Sequence, residues 1–150
     1  MNIFKSVICH DYTVIRAQRQ PQFKTNGVHM IGVCWIANTL SLVGIGILYF
    51  LLAKRKNDVY DLLFEIHYWE LAGRVGIIVL LSIIYLIAFA AYGGKATFFR
   101  IIHEFMELDQ EAQIAVARKG GRYFYGSLLV FAVVAGILFY FVKLGGYQHI

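Results

Sequence analysis

From Met30 to Ala53 the chain runs for 24 residues without a charged side chain, MIGVCWIANTLSLVGIGILYFLLA, and Lys54-Arg55-Lys56 then halts the run. A helix rising 1.5 Å per residue would carry this stretch about 36 Å, enough to cross a hydrocarbon core of roughly 30 Å with some tilt. A helix apolar on every side needs burial on every side, and a chain of 150 residues has too little protein to provide it. Residues 28–53 therefore read as a transmembrane helix, and the rest of the chain must be arranged around it.

Two further runs repeat the pattern. Val75 to Tyr92 (VGIIVLLSIIYLIAFAAY) and Tyr123 to Val142 (YFYGSLLVFAVVAGILFYFV) are free of charge. The second of these is bracketed by Tyr123, Phe124 and Tyr125 at one end and Phe139, Tyr140 and Phe141 at the other, as aromatic belts at two membrane interfaces would be. The composition agrees: 59% of residues are hydrophobic and only 15% charged, where about 25% charged is usual for soluble domains. The expected fold is all-α, an integral membrane protein with three transmembrane helices plus amphipathic interfacial helices. Its segments are an amphipathic N-terminal segment (1–27), span one (28–53), an interfacial helix connection (54–74), span two (75–92), an amphipathic connection (93–122), span three (123–142) and a polar tail (143–150).

The connecting segments are amphipathic. In the first, Ile3, Phe4, Val7, Ile8, Tyr12 and Ile15 share a helical face, with Asp11 intruding on it. It lacks the continuous apolar core of a signal peptide, and a mitochondrial presequence is the rival reading. It is expected to lie in the membrane interface or dock on a partner, with Pro21 and Asn26-Gly27 breaking it before the first span. Residues 57–73 carry a second such helix, with Tyr60, Tyr68 and Trp69 at the interface. The third pattern, over 95–119, is the clearest. Phe98, Ile101, Ile102, Phe105, Leu108, Ala112 and Ala115 form an apolar face opposite Arg100, Glu104, Glu107, Glu111 and Arg118. Arg100 is placed to pair with Glu104. That apolar face must rest on lipid or on protein. The paired glycines at 93–94, 120–121 and 145–146 read as helix ends.

Within the spans, small residues mark the expected packing faces. Ala37, Ser41 and Gly44 form one in the first span, and Ala132 and Gly136, four apart, form another in the third. Asn38, Thr39 and Ser41 put polar groups near mid-membrane, where an unpaired amide facing lipid is costly. The favoured reading of these groups is glue between helices. The two cysteines, Cys9 and Cys34, form no CxxC pair and are expected to remain thiols.

The search for chemistry is mostly negative. No charge lies inside any span, whereas pumps and charge-coupled transporters usually keep one there. There is no GxSxG, Walker A or GxGxxG sequence. His103, Glu104 and Glu107 resemble half of a metal motif, but no second histidine completes it, and no metal is expected. His29 and His103 share one membrane face, with His67 on the other, and are the pair to consider as ligands. The formal charge of +5 fits lipid headgroups better than nucleic acid, which is not an expected partner.

Three functions follow in order of preference. The first is a non-enzymatic subunit packed with other membrane protein chains, in a hetero-complex or homo-oligomer. The second is a homo-oligomeric pore lined by the polar face of the first span. The third is a redox or enzyme subunit binding haem, quinone or lipid at His29 and His103. No cofactor is expected, and a bound lipid is. A bacterial or mitochondrial inner membrane fits. An inner N-terminus collects nine lysines and arginines on the inner side against five outside, which favours N-in and C-out, although Lys54-Arg55-Lys56 argues the other way.

Overall fold

The computed structural model describes residues 1–16, 22–53 and 70–143, and all the regular structure among them is helical. The helices are α1 (Ile3–Arg16), α2 (Asn26–Leu52), α3 (Glu70–Tyr92), α4 (Lys95–Met106) and α5 (Gln110–Lys143). Three of them, α2, α3 and α5, are long and apolar enough to cross a membrane. The chain is thus an all-α, multi-pass membrane protein. The connection at 54–69, with Lys54-Arg55-Lys56, Tyr60, Tyr68 and Trp69, and the tail with Gly145-Gly146 lie outside the described residues.

The three spans stand in a row. α2 is the middle member and packs on α3 along one flank and on α5 along the other; α3 and α5 scarcely meet. About 33% of the apolar window of α2 is buried, against 6% for α3 and 11% for α5. Most of the outer two helices is therefore left to lipid or to other protein.

The hydrophobic core lies at one end of this row and not within it. Val7, Ile8, Cys9 and Tyr12 of α1, Val28 and Ile31 of α2, Ala88 of α3, and Phe98, Ile101, Ile102 and Phe105 of α4 make one buried cluster. We call this end the cap. α1 is its centre: Ser6, Val7, Ile8 and Cys9 are consecutive and all essentially inaccessible. Four adjacent residues point to every side of a helix, so α1 is surrounded, and the expectation of one apolar face on a membrane surface understates its burial. The apolar face of α4 likewise rests on this chain's own α1.

The helix ends have local causes. Asn2 caps α1, its Oδ1 accepting from the backbone N–H of Phe4 at 2.8 Å and of Lys5 at 3.1 Å. Gly93-Gly94 ends α3 as its sequence implies. Asp109 starts α5: its Oδ1 accepts from the N–H of Ala112 at 3.0 Å, and Gln113 Nε2 donates back to the carbonyl of Leu108 at 2.8 Å. The third amphipathic segment is consequently not one helix over 95–119 but two, broken between Met106 and Gln110.

α5 then runs without interruption through Gly120-Gly121 to Lys143. Its 34 residues extend about 51 Å, well beyond a hydrocarbon core. The polar first third belongs to the cap and the remainder to the membrane. Gly120-Gly121 does not end a helix, and neither do Asn26-Gly27, which are the first two residues of α2.

Candidate functional site

The junction of cap and spans is where the sequence places its least replaceable residues. α1 crosses α2 and α5 so closely that only glycine fits at the crossing points. A Cβ on Gly27 would stand 2.8 Å from the Cα of Ile8, and one on Gly120 would stand 1.9 Å from the carbonyl oxygen of Ser6. One on Gly121 would press into the ring of His10 at 2.7 Å. Gly27 and Gly120 are where helix backbones meet, which is the other reason for a glycine inside a helix.

Phe4 ties α1 to all three spans. Its ring lies 5.3 Å from Trp35 of α2, 6.2 Å from Tyr92 of α3 and 5.8 Å from Tyr123 of α5, tilted or edge-on in each case. Asp11, which intruded on the apolar face, also acquires a role. α2 begins at Thr25 without a side-chain cap of its own. The Asp11 carboxylate stands beside that end, where the Lys24 ammonium and the backbone N–H of Gly27 both favour its charged form.

The residues expected to carry function divide into three groups. Ala37, Ser41 and Gly44 are buried within the chain; a Cβ on Gly44 would stand 2.6 Å from Val134 Cγ1 of α5. Their small-residue face is therefore the seam between α2 and α5. Asn38 donates to the Tyr123 hydroxyl at 3.0 Å across the same seam. Ser41 and Thr39 hydroxyls donate to carbonyls one turn back, of Ala37 at 2.7 Å and Trp35 at 2.8 Å. Phe98, Ile101, Ile102 and Phe105 fill the cap core. Ala132 and Gly136 form the third group, exposed on the outward side of α5, and Gly136 has open space in front of it.

The histidine pair has separate neighbours. His29 stacks on Tyr85, with ring planes 13° apart, shares a hydrogen bond with the Tyr85 hydroxyl and lies near Phe89. His103 is exposed and approaches Glu107 on its own helix at 3.3 Å. Among the described residues no three His, Cys, Asp or Glu side chains come together. Both cysteines are free and buried, and burial pushes the Cys9 thiol up to about 12, leaving it protonated and unreactive at neutral pH.

One ion pair links cap elements far apart in sequence. Lys5 Nζ of α1 lies 2.8 Å from Glu104 Oε2 of α4, so Glu104 pairs with Lys5 where the helical spacing suggested Arg100. The hydrogen bond from Lys5 holds the Glu104 carboxyl below its ordinary value of 4.5, with Arg100 contributing less. Burial pushes the Asp11 carboxyl above its ordinary value of 3.8. The two groups act in opposite directions on stability. Asp11, raised in the folded state, favours folding as acid protonates it. Glu104, lowered in the folded state, stabilises the cap above pH 4.5, and that stability is lost as pH falls through its folded value. Urea melts across the acid range separate the two contributions through variants. Toward acid, Lys5→Met should lose less stability than the native protein, and Asp11→Asn should lose more.

Sequence reasoning missed the crossing glycines, the Phe4 contacts and the Asp109 break. Of these, only Asp109, a capping residue followed by Glu111, left a local signal. No known family model, curated protein or solved structure matches the chain.

Proposed function

We propose that this chain is a non-enzymatic subunit of a larger membrane assembly, held to other membrane chains through the outer faces of its row of spans. The observation that carries this reading is a set of helical glycines with nothing to pack on. Gly46, Gly76, Gly126 and Gly136 have no atom beyond their own stretch of helix within 4 Å of where a Cβ would stand. A glycine inside a helix costs about 1 kcal/mol relative to alanine. In the spans, Gly27, Gly32 and Gly44 each offset that cost by admitting a neighbour closely. Gly46, Gly76 and Gly136 do the same when a helix of another chain lies against them. Ala132 and Gly136, one turn apart on α5, are the best-placed pair.

The apolar face of α4 offers no contact to another chain, because it is covered within the cap. The pore reading draws no support from Asn38, Thr39 and Ser41, whose hydrogen bonds run to Tyr123 and to the backbone of α2. The cap gathers Lys5, Lys24, Lys95, Arg100, Arg118, Lys119 and Arg122 at one end of the row. By the positive-inside rule that end faces the cytoplasm or the mitochondrial matrix, in an inner membrane.

Native mass spectrometry after gentle extraction from the source membrane tests the proposal. The expected result is this chain together with other membrane chains, or copies of itself, at a fixed ratio. Gly136→Leu should reduce that complex about tenfold, the equivalent of about 1.4 kcal/mol, while leaving the fold intact, because the space there is open. A bare monomer from the native membrane would sink the proposal. An undiminished complex in the Gly136→Leu variant would show that this face is not the contact.

A further inference from the structure

We propose that α5 carries a binding site for an anionic phospholipid, with the phosphate held by Arg118, Lys119 and Arg122. This rests on the chain crossing a membrane and is independent of what it assembles with. The three cations border a hollow of about 440 Å³ whose other walls are Ile3, Ala115 and Tyr123. All three are exposed, and none of them makes an ion pair among the described residues. Glu104, a carboxylate of the same cap, is already held by Lys5. Glu111, on the same side of α5, stands two turns farther from the membrane than Arg118.

Depth and shape point to a lipid. The cations lie in the turns just before Tyr123, where the charge-free run begins, so they stand at the level of the headgroups. From Arg122 the outward stripe of α5 continues at helical spacing through Gly126, Leu129 and Val133. Gly126 has open space before it, and Leu129 and Val133 are exposed. A charged hollow above an apolar stripe matches a molecule with an anionic head and hydrocarbon tails. One leaflet is about 15 Å deep, or about ten residues of helix from Tyr123. The acyl chains therefore end near Val133, and Gly136 stays free for a chain contact in the other leaflet.

The test uses the full chain in mild detergent, with retained lipid counted by native mass spectrometry. Phosphatidylglycerol and phosphatidylcholine are titrated in parallel. Each cation near a membrane surface is worth about fivefold in affinity. Arg122→Gln should therefore cut the preference for phosphatidylglycerol about fivefold, and the triple change Arg118→Gln, Lys119→Gln, Arg122→Gln on the order of a hundredfold. Protection of Cys9 from alkylation reports that the cap is intact, and Arg122→Gln alone decides the matter if the triple variant exposes Cys9. The control, Lys95→Gln with Arg100→Gln, removes charge elsewhere on the cap and should leave the preference within about twofold. Three results would overturn the proposal: an unchanged preference in the site variants, an equal loss in the control, or displacement of phosphatidylglycerol by inorganic phosphate at the same concentration.

Discussion

Gly120→Ala is expected to destabilise the protein although it places a better helix former inside a helix. The new Cβ would stand 1.9 Å from the Ser6 carbonyl oxygen, 2.3 Å from its carbon and 2.7 Å from the Val7 nitrogen. All three are backbone atoms of α1, so no side-chain rotation relieves the overlap. α1 must move away, taking Phe4, Val7 and Ile8 with it. Overpacking of this kind costs about 1–3 kcal/mol and sometimes more, against a helix-propensity gain of about 1 kcal/mol. The sign of the effect is therefore the test. If Gly120 were merely a helix end or a tolerated break, alanine would be neutral or stabilising. Gly126→Ala, on the same helix with open space before it, should be stabilising by up to about 1 kcal/mol. Thermal melting in detergent gives the sign for both. Alkylation of Cys9, inaccessible in the folded cap, should accelerate sharply in Gly120→Ala and not in Gly126→Ala. Slow labelling together with a raised melting temperature in Gly120→Ala would mean that α1 does not sit between Gly27 and Gly120.

This contrast also marks how far the sequence could be read. The spans were legible because a charge-free run of about 20 residues has few destinations other than a bilayer. The amphipathic helices were legible because periodicity is a local property. What covers an apolar face is not local. The face from Phe98 to Phe105 has the same spacing whether lipid, another chain or α1 lies on it, and only the fold shows that it is α1. Gly93-Gly94 and Gly120-Gly121 are the same dipeptide; one ends α3, and the other lets α1 lie against α5. The difference lies in a neighbour more than a hundred residues away in sequence. Asp11 looked like a flaw in an apolar face until the uncapped start of α2 was found beside it. Ala37, Asn38, Ser41 and Gly44 of the first span and Phe98, Ile101, Ile102 and Phe105 of α4 line internal seams, His103 is exposed, and Ala132 and Gly136 stand on the open outer face. In the sequence the cations of α5 bear only on topology, because the hollow they share requires Ile3 from the other end of the chain.

Phe105→Ala is expected to have the largest effect of any truncation in the cap, and the size of that effect separates two accounts of α4. Phe105 is the largest fully buried side chain among the described residues, and its ring meets Tyr12 of α1 edge-on at 6.4 Å. If α4 lies over α1, removing the ring leaves a cavity between the two helices, and the loss is about 3–5 kcal/mol. If instead the Phe98–Phe105 face rested on lipid, the ring would exchange one fluid apolar contact for another, and the fold would lose much less. Met106, the next residue, is 42% exposed, so Met106→Ala should change stability by no more than about 0.5 kcal/mol. Urea melts of the two variants side by side, in detergent and again in lipid nanodiscs, give the comparison. A large loss for Phe105→Ala in both media, with Met106→Ala near the native protein, means that the cap is a protein core built outside the bilayer. A small loss in detergent alone would still leave α4 in contact with α1. A small loss in both would place its apolar face on the membrane, and the Lys5–Glu104 pair could not then form, because α1 and α4 would no longer be neighbours.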